Sequence, residues 1–214
     1  DLIKDFKSKK LKSKLIKVNF SNIKKFSFKN NYLNSKINKE NLSFVYETMR
    51  ILKLNPNKFI KSLDNFKGLQ HRQEFFLKKG NVKFINDSKA TSFASTKNAL
   101  ISFKNIYWIV GGKPKTSEAF SLRKFKKNIL KAYIIGKYVN FFRDKLISQV
   151  KFKVSRNMKN AIKDILKDLQ NEKVHKNYTI LLSPASASYD QYKNFEERGK
   201  FFKKIARFYA RKFI

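Results

Sequence analysis

Cysteine is absent from the 214 residues. That excludes a disulfide scaffold, a thiolate-held zinc or iron–sulfur centre and a thiol nucleophile. Histidine occurs only at His71 and His175. His71 reads as a packed, hydrogen-bonded side chain, and His175, in a Lys-rich loop, as an exposed one. No uncharged apolar run approaches the roughly 18 residues that cross a bilayer. The first twenty residues are Lys-rich and lack the apolar stretch of a signal peptide. The expectation is a cytoplasmic protein with no membrane partner.

Acidic residues are also scarce, 15 against 50 Lys and Arg, for a net charge of +35. Such a balance suits nucleic acid or an anionic surface. The excess is mostly Lys, however, spread along the chain beside abundant Asn, Ile and Phe, as AT-rich codons produce. Arg, the usual reader of base edges, is sparse. No specific nucleic-acid partner is expected, only adhesion to polyanions at low salt. With 42% hydrophobic and 15% aromatic residues there is ample material for a core. The chain begins at Asp1, in mid-pattern, which leads us to expect a piece of a longer protein.

Residues 15–20 and 25–28 read as short strands. Residues 40–54 place Leu42, Val45, Tyr46, Met49 and Leu52 at helical spacing, with Asn38 or Asn41 at the helix start and Asn55-Pro56 as its stop. A second helix is expected over 57–66, before Gly68. Beyond Gly68 the pattern alternates. Strands are expected at 74–77, 82–86, 105–110, 132–136, 151–154 and 178–183, and helices at 92–102, 121–130, 141–148, 157–170 and 195–213. The repeated strand-then-helix order predicts an α/β fold: a Rossmann-like, mostly parallel sheet with helices on both faces. In such sheets ligands sit beyond the carboxyl ends of the strands.

Three loops there are rich in polar groups. Asn86-Asp87-Ser88-Lys89-Ala90-Thr91 follows one strand and reads as a ligand loop or as a helix cap with a solvated Lys. Gly111-Gly112-Lys113-Pro114-Lys115 follows another, with two glycines for close approach and two cations; it is not a Walker A loop, which the chain lacks. Ser183 to Phe195 follows the last strand and combines small residues, hydroxyls and a helix start suited to an anion. Upstream, Gly68-Leu69-Gln70-His71-Arg72 carries an Arg fit for a phosphate or an ion pair.

Together GLQHR (68–72), INDSKAT (85–91), GG-x-x-K (111–115) and LLSPASASYDQYKNFEERG (181–199) resemble the Mur ligases of peptidoglycan synthesis, over residues 36–211 in order. The S-x-DQ-[FY]-x-NF-x-x-RG run points within the family to its D-glutamate-adding members. The resemblance implies two domains: 1–67, the end of a central ATPase domain, and 68–214, a C-terminal Rossmann-like domain. It implies ATP-dependent amide formation through an acyl phosphate, joining D-glutamate to UDP-N-acetylmuramoyl-L-alanine, by a monomer. It implies Lys89, Thr91, Lys115, Ser188 and Phe195 around D-glutamate, Asn41 near adenine, and Arg72 and Asp87 on the nucleotide. ATP and Mg2+ would be held mainly by upstream sequence, so the chain alone is expected to be inactive. Departures from the family pattern are Lys113 for Asp, Ser186 for Cys, Tyr189 for Leu and Ile37 for His. The alternatives are a related Mur or folylpolyglutamate-type ligase, or a non-catalytic basic binding module.

Overall fold

A sheet buried on both faces needs strands that are apolar throughout, and the chain beyond Gly68 supplies them. The computed structural model describes residues 4, 13–26, 29–30, 32–33, 36–115, 120–172 and 176–213. It divides into two compact units, Asp1–Gly68 and Leu69–Ile214.

In the second unit six strands form one sheet: β1 (Glu74–Lys79), β2 (Val82–Asn86), β3 (Ile106–Gly111), β4 (Ile129–Ile135), β5 (Phe152–Arg156) and β6 (Tyr178–Leu182), in the order β1-β2-β6-β3-β4-β5. Only the β1–β2 pair is antiparallel. Alternate residues of each strand face opposite layers. Phe84, Tyr107, Ile109, Tyr133, Ile180 and Leu182 pack with the helices at Met158–Gln170 and Phe195–Phe213. Ile85, Trp108, Val110, Ile134 and Leu181 pack with those at Phe93–Ser102 and Val139–Leu146. The expected doubly covered, mostly parallel sheet is therefore present. The chain advances in one direction through β2, β3, β4 and β5 and then returns to insert β6 between β2 and β3, so the carboxyl ends of β2, β6 and β3 lie side by side.

One expected helix is not formed. Residues 121–130 fold as turns, a short 3-10 segment at Lys126–Asn128 and the start of β4. Leu122, Phe125 and Ile129 do share a buried side, at helix-like spacing. Their backbone is held instead by the Leu122 carbonyl, which accepts from Phe125 and Lys126, and by the Gln149 side chain, which accepts from Leu122 N–H. The segment plugs one face of the sheet rather than running along it.

Among the described residues of the first unit two helices are bounded, α1 (Lys36–Ile51) and α2 (Pro56–Asn65). In chain order the four of the second unit become α3 (Phe93–Ser102), α4 (Val139–Leu146), α5 (Met158–Gln170) and α6 (Phe195–Phe213). Helix α1 starts before both Asn38 and Asn41, so neither caps it; the Asn38 side chain donates to the Tyr32 carbonyl at 2.6 Å. Asn55 is the cap of α2, its side chain accepting from Asn57 and Lys58, with Pro56 in the first turn. Residues 15–20 are not a strand: they make no ladder, and Leu15, Ile16 and Phe20 stay exposed. The strand expected at 25–28 falls partly on a 3-10 turn ending at Lys25, and residues 27–28 lie outside the described residues. Ile23, Leu33, Leu42 and Leu63 form the small core of this unit.

Candidate functional site at the carboxyl edge of the sheet

Each polar loop leaves the carboxyl end of one of three neighbouring strands, and hydrogen bonds lace them together. Between the β3 and β6 loops, Lys113 and Ala187 form a reciprocal antiparallel bridge, at 2.9 and 3.0 Å. Lys115 stands two residues beyond that bridge and Ser188 one residue beyond it. Gly111 N–H donates to the Pro184 carbonyl at 3.0 Å.

Between the β2 and β6 loops one tie is Arg198, on the first turn of α6 and 1% exposed. Its Nε donates to Ser88 Oγ at 3.0 Å, and one terminal nitrogen donates to the carbonyls of Ser88 (2.8 Å) and Ser186 (3.0 Å). Burial draws its pKa down to about 10, against the pull of Asp190 and Tyr192, so it is charged at neutral pH. The sequence reading missed Arg198 as a brace. The signal was there: Phe195, Arg198, Phe202, Ala206 and Tyr209 occupy one helical stripe, so a cation sits where the pattern requires burial.

Lys89 and Phe195 are brought together, the ammonium standing 3.9 Å from the ring centroid. Ser88 Oγ donates to the Phe195 carbonyl at 2.8 Å, which fixes the start of α6 against the β2 loop. Thr91 is half-buried two residues beyond Lys89, just before Ser92, which caps α3 with a reciprocal Ser92–Ser95 box. Ser188 is buried and Lys115 exposed.

Asp87 is turned inward. Its Oδ2 accepts from Ser183 Oγ at 2.7 Å and its Oδ1 from Gln73 N–H at 3.1 Å. Burial pushes its pKa up to about 7; the Ser183 and Gln73 bonds and the Arg72 charge pull down without prevailing. Asp87 thus holds Gln73 beneath the turn that carries Arg72. Arg72 itself is exposed.

That turn is built on His71, whose φ is +63°. Its N–H donates to the Glu74 carboxylate at 3.0 Å and its carbonyl accepts Lys89 N–H at 3.0 Å. The His71 ring, 3% exposed, lies 2.9 Å from the Asn86 amide nitrogen. Burial lowers its pKa, with Glu74 opposing. Burial pushes the Glu74 carboxyl up, but its contacts with Lys203, at 2.6 Å, and with His71 N–H outweigh this and hold it below the ordinary range.

Asn41 lies exposed on α1, in the first unit. His175 lies outside the described residues. Among the described residues no group of three or more His, Asp or Glu side chains is placed to hold a metal ion. No described helix is long and apolar enough to cross a membrane.

A Rossmann-like sheet whose strand-end loops carry these motifs is a Mur ligase feature, and comparison with known proteins agrees. The solved structures it resembles include MurF from Acinetobacter baumannii (TM-score 0.58, 14% identity, 81% of this chain and 38% of that one) and UDP-N-acetylmuramate-alanine ligase MurC from Thermotoga maritima (TM-score 0.51, 14% identity, 79% of this chain and 37% of that one); at that identity they speak for the fold. No protein-family model matches. Curated sequences are nearer, and with them the chain belongs to the Mur ligase family. UDP-N-acetylmuramoylalanine--D-glutamate ligases from Wolbachia sp. subsp. Brugia malayi, Bartonella henselae and Rickettsia conorii are 40%, 41% and 36% identical over 79%, 77% and 78% of this chain. The chain spans about a third of the length of these relatives (34%, 35% and 33%).

Proposed function

We propose that the chain is the amino-acid-binding part of an ATP-dependent ligase that joins D-glutamate to UDP-N-acetylmuramoyl-L-alanine in peptidoglycan synthesis. The observation that carries this reading is the lacing of the β2, β3 and β6 loops at one sheet edge, bearing Lys89, Lys115, Thr91, Ser188 and Phe195. On this reading the first unit is the end of a central ATP-binding domain and the second a C-terminal domain, in a monomer working in the cytoplasm.

A dicarboxylate needs cations and hydroxyls with an apolar cover for its methylenes, and these five residues are that set. Lys89 and Lys115 neutralise the two carboxylates, Thr91 and Ser188 donate hydroxyl hydrogen bonds, and Phe195 covers the chain between. Their work is orientation: they hold the α-amine where it meets an activated acyl carbon, the main lever available in such chemistry. ATP, when bound, supplies the phosphoryl group that activates the acceptor's carboxylate. By the family resemblance, Asn41 would serve adenine and Arg72 would take phosphate oxygens. Asp87 would serve the nucleotide indirectly, by accepting the N–H of Gln73, the residue next to Arg72. ATP and Mg2+ otherwise depend on groups this chain does not contain.

The test is ADP release by the full-length product of the gene that encodes this chain. Release should require both D-glutamate and UDP-N-acetylmuramoyl-L-alanine, and the chain by itself should release none. A clear preference for L-glutamate or another amino acid in a panel defeats the substrate assignment.

A further inference from the structure

The loop from β6 to α6 (183–194) carries Ser188, yet its ties extend past the strands that frame the site. Asp190 Oδ2 accepts Lys137 N–H at 2.9 Å, just beyond β4. Gln191 Nε2 donates to the Arg156 carbonyl at 3.1 Å, at the end of β5. Neither β4 nor β5 ends in a residue assigned to substrate. The loop is thus a strap across the sheet edge, fastened at β2 through Arg198, at β3 through Ala187, and at β4 and β5 through Asp190 and Gln191.

Two glycines show how tightly the Asp190 end is seated. A Cβ on Gly136 (φ +91°) would stand 2.4 Å from Asp190 Oδ2 and 3.0 Å from the Gly112 nitrogen. A Cβ on Gly112 (φ +135°) would stand 2.3 Å from the Ala187 carbonyl oxygen. Asp190, Gly136, Gly112 and Ala187 therefore form one stack of close contacts. It sets the spacing between the turn that leads to Lys115 and the strap that carries Ser188. An anchor lost at Asp190 loosens that spacing without removing a group that touches substrate.

We propose that Asp190 and Gln191 are positioning residues, which fix the amino-acid-binding edge of the strap by anchoring it to β4 and β5. The inference rests on the ligase reading above and makes these two residues determinants of D-glutamate affinity rather than of turnover.

The experiment uses the full-length ligase and two readouts. In the first, Asp190→Ala and Gln191→Ala each raise the KM for D-glutamate by about tenfold, while the KM for ATP and kcat stay within about twofold. Asp190→Asn, whose amide oxygen still accepts Lys137 N–H, restores the parent KM. In the second, amide hydrogen exchange follows the Lys113 and Ala187 N–H groups, which bond to each other's carbonyls. Asp190→Ala speeds their exchange by about tenfold and leaves the amides of β4 unchanged. An unchanged D-glutamate KM overturns the inference. So does an equal rise in both KM values, or a loss of thermal stability alone. Should the unmodified enzyme show no D-glutamate dependence, the ligase reading fails, and the exchange readout still decides whether Asp190 fixes the strap. Gln191 is exposed, so its variant keeps the test open if Asp190→Ala does not fold.

Discussion

Lys115 has the least structural work of the five residues assigned to D-glutamate: it is exposed, on a turn, past the Lys113–Ala187 bridge. Its replacement should therefore isolate a substrate contact. In the full-length enzyme Lys115→Ala should raise the KM for D-glutamate by about 10-fold or more, the worth of one charge-assisted hydrogen bond. Urea unfolding should be unchanged. Steady-state kinetics at saturating ATP reads this directly, and an unaltered KM removes Lys115 from the site. Asp87 is the opposite case, with its carboxyl buried and its pKa raised from 3.8 to about 7. Between those values the folded state holds a proton that the unfolded state has lost, so stability falls as pH rises through the window. His71 opposes this: its folded pKa lies below 6.5, so acidification below 6.5 charges the unfolded state first and costs stability. Asp87→Asn separates the two. Relative to the parent, the variant should gain about 2 kcal/mol on going from pH 5 to pH 8, measured by urea unfolding at both values. A difference that does not move with pH would mean the carboxyl is charged in the fold.

At the scale of elements, α5 is held to the sheet by acids that the charge count made inconspicuous. Asp164 takes Ser155 Oγ and Lys153; Asp168 takes Lys131 at 2.6 Å and the Tyr133 hydroxyl. Just past the helix, Glu172 takes the Tyr107 hydroxyl at 2.7 Å. Tyr107 and Tyr133 are buried, and burial together with the facing carboxylates raises both phenol pKa values. Asp168→Ala leaves the Tyr133 hydroxyl buried without its acceptor, which should cost about 1–3 kcal/mol. In a Tyr133→Phe background the same replacement should cost clearly less, and equal costs in the two backgrounds would show that the pair does not couple. These ties were not legible in the sequence, because they join residues 35 and 65 positions apart. What was legible depended on period and length. The apolar runs of β3 and β6 and the latter part of β4 read as buried strands, and the apolar stripe of α5 as a helix face. The run at 121–130 has helical spacing too. Its buried residues bracket one turn and a strand start, a distinction that depends on Gln149 reaching back to cap Leu122 N–H. Within the site, the three loops could be named from composition after a strand, whereas Lys89 and Phe195 were singled out through the family resemblance. The inward turn of Asp87 could not, since it depends on Ser183, which is 96 residues away.

For the molecule as a whole, the two units differ in how much each can bury. Leu69–Ile214 has a sheet filled on both faces, with Trp108, Tyr107, Tyr133, Phe84, Phe142 and Phe202 all within it. Among the described residues, Asp1–Gly68 has the small cluster of Ile23, Leu33, Leu42 and Leu63, while Phe44, Val45, Ile51, Leu52 and Leu54 remain exposed. Folding free energy is a small remainder of burial over chain entropy, so the unit with the thin core should open first. Net charge adds to this, because +35 on one chain repels itself at low salt. The single tryptophan makes the difference measurable. Trp108 sits at 0% exposure in the second unit, whereas α1 and α2 of the first unit contribute only to the far-ultraviolet dichroism. On raising urea, helical dichroism should fall in a first step while Trp108 emission keeps its buried position. The emission should shift only in a second step, at higher denaturant. Added salt should move both steps upward by screening like charges. Two probes that trace a single shared transition would instead mean that the 214 residues unfold as one cooperative body.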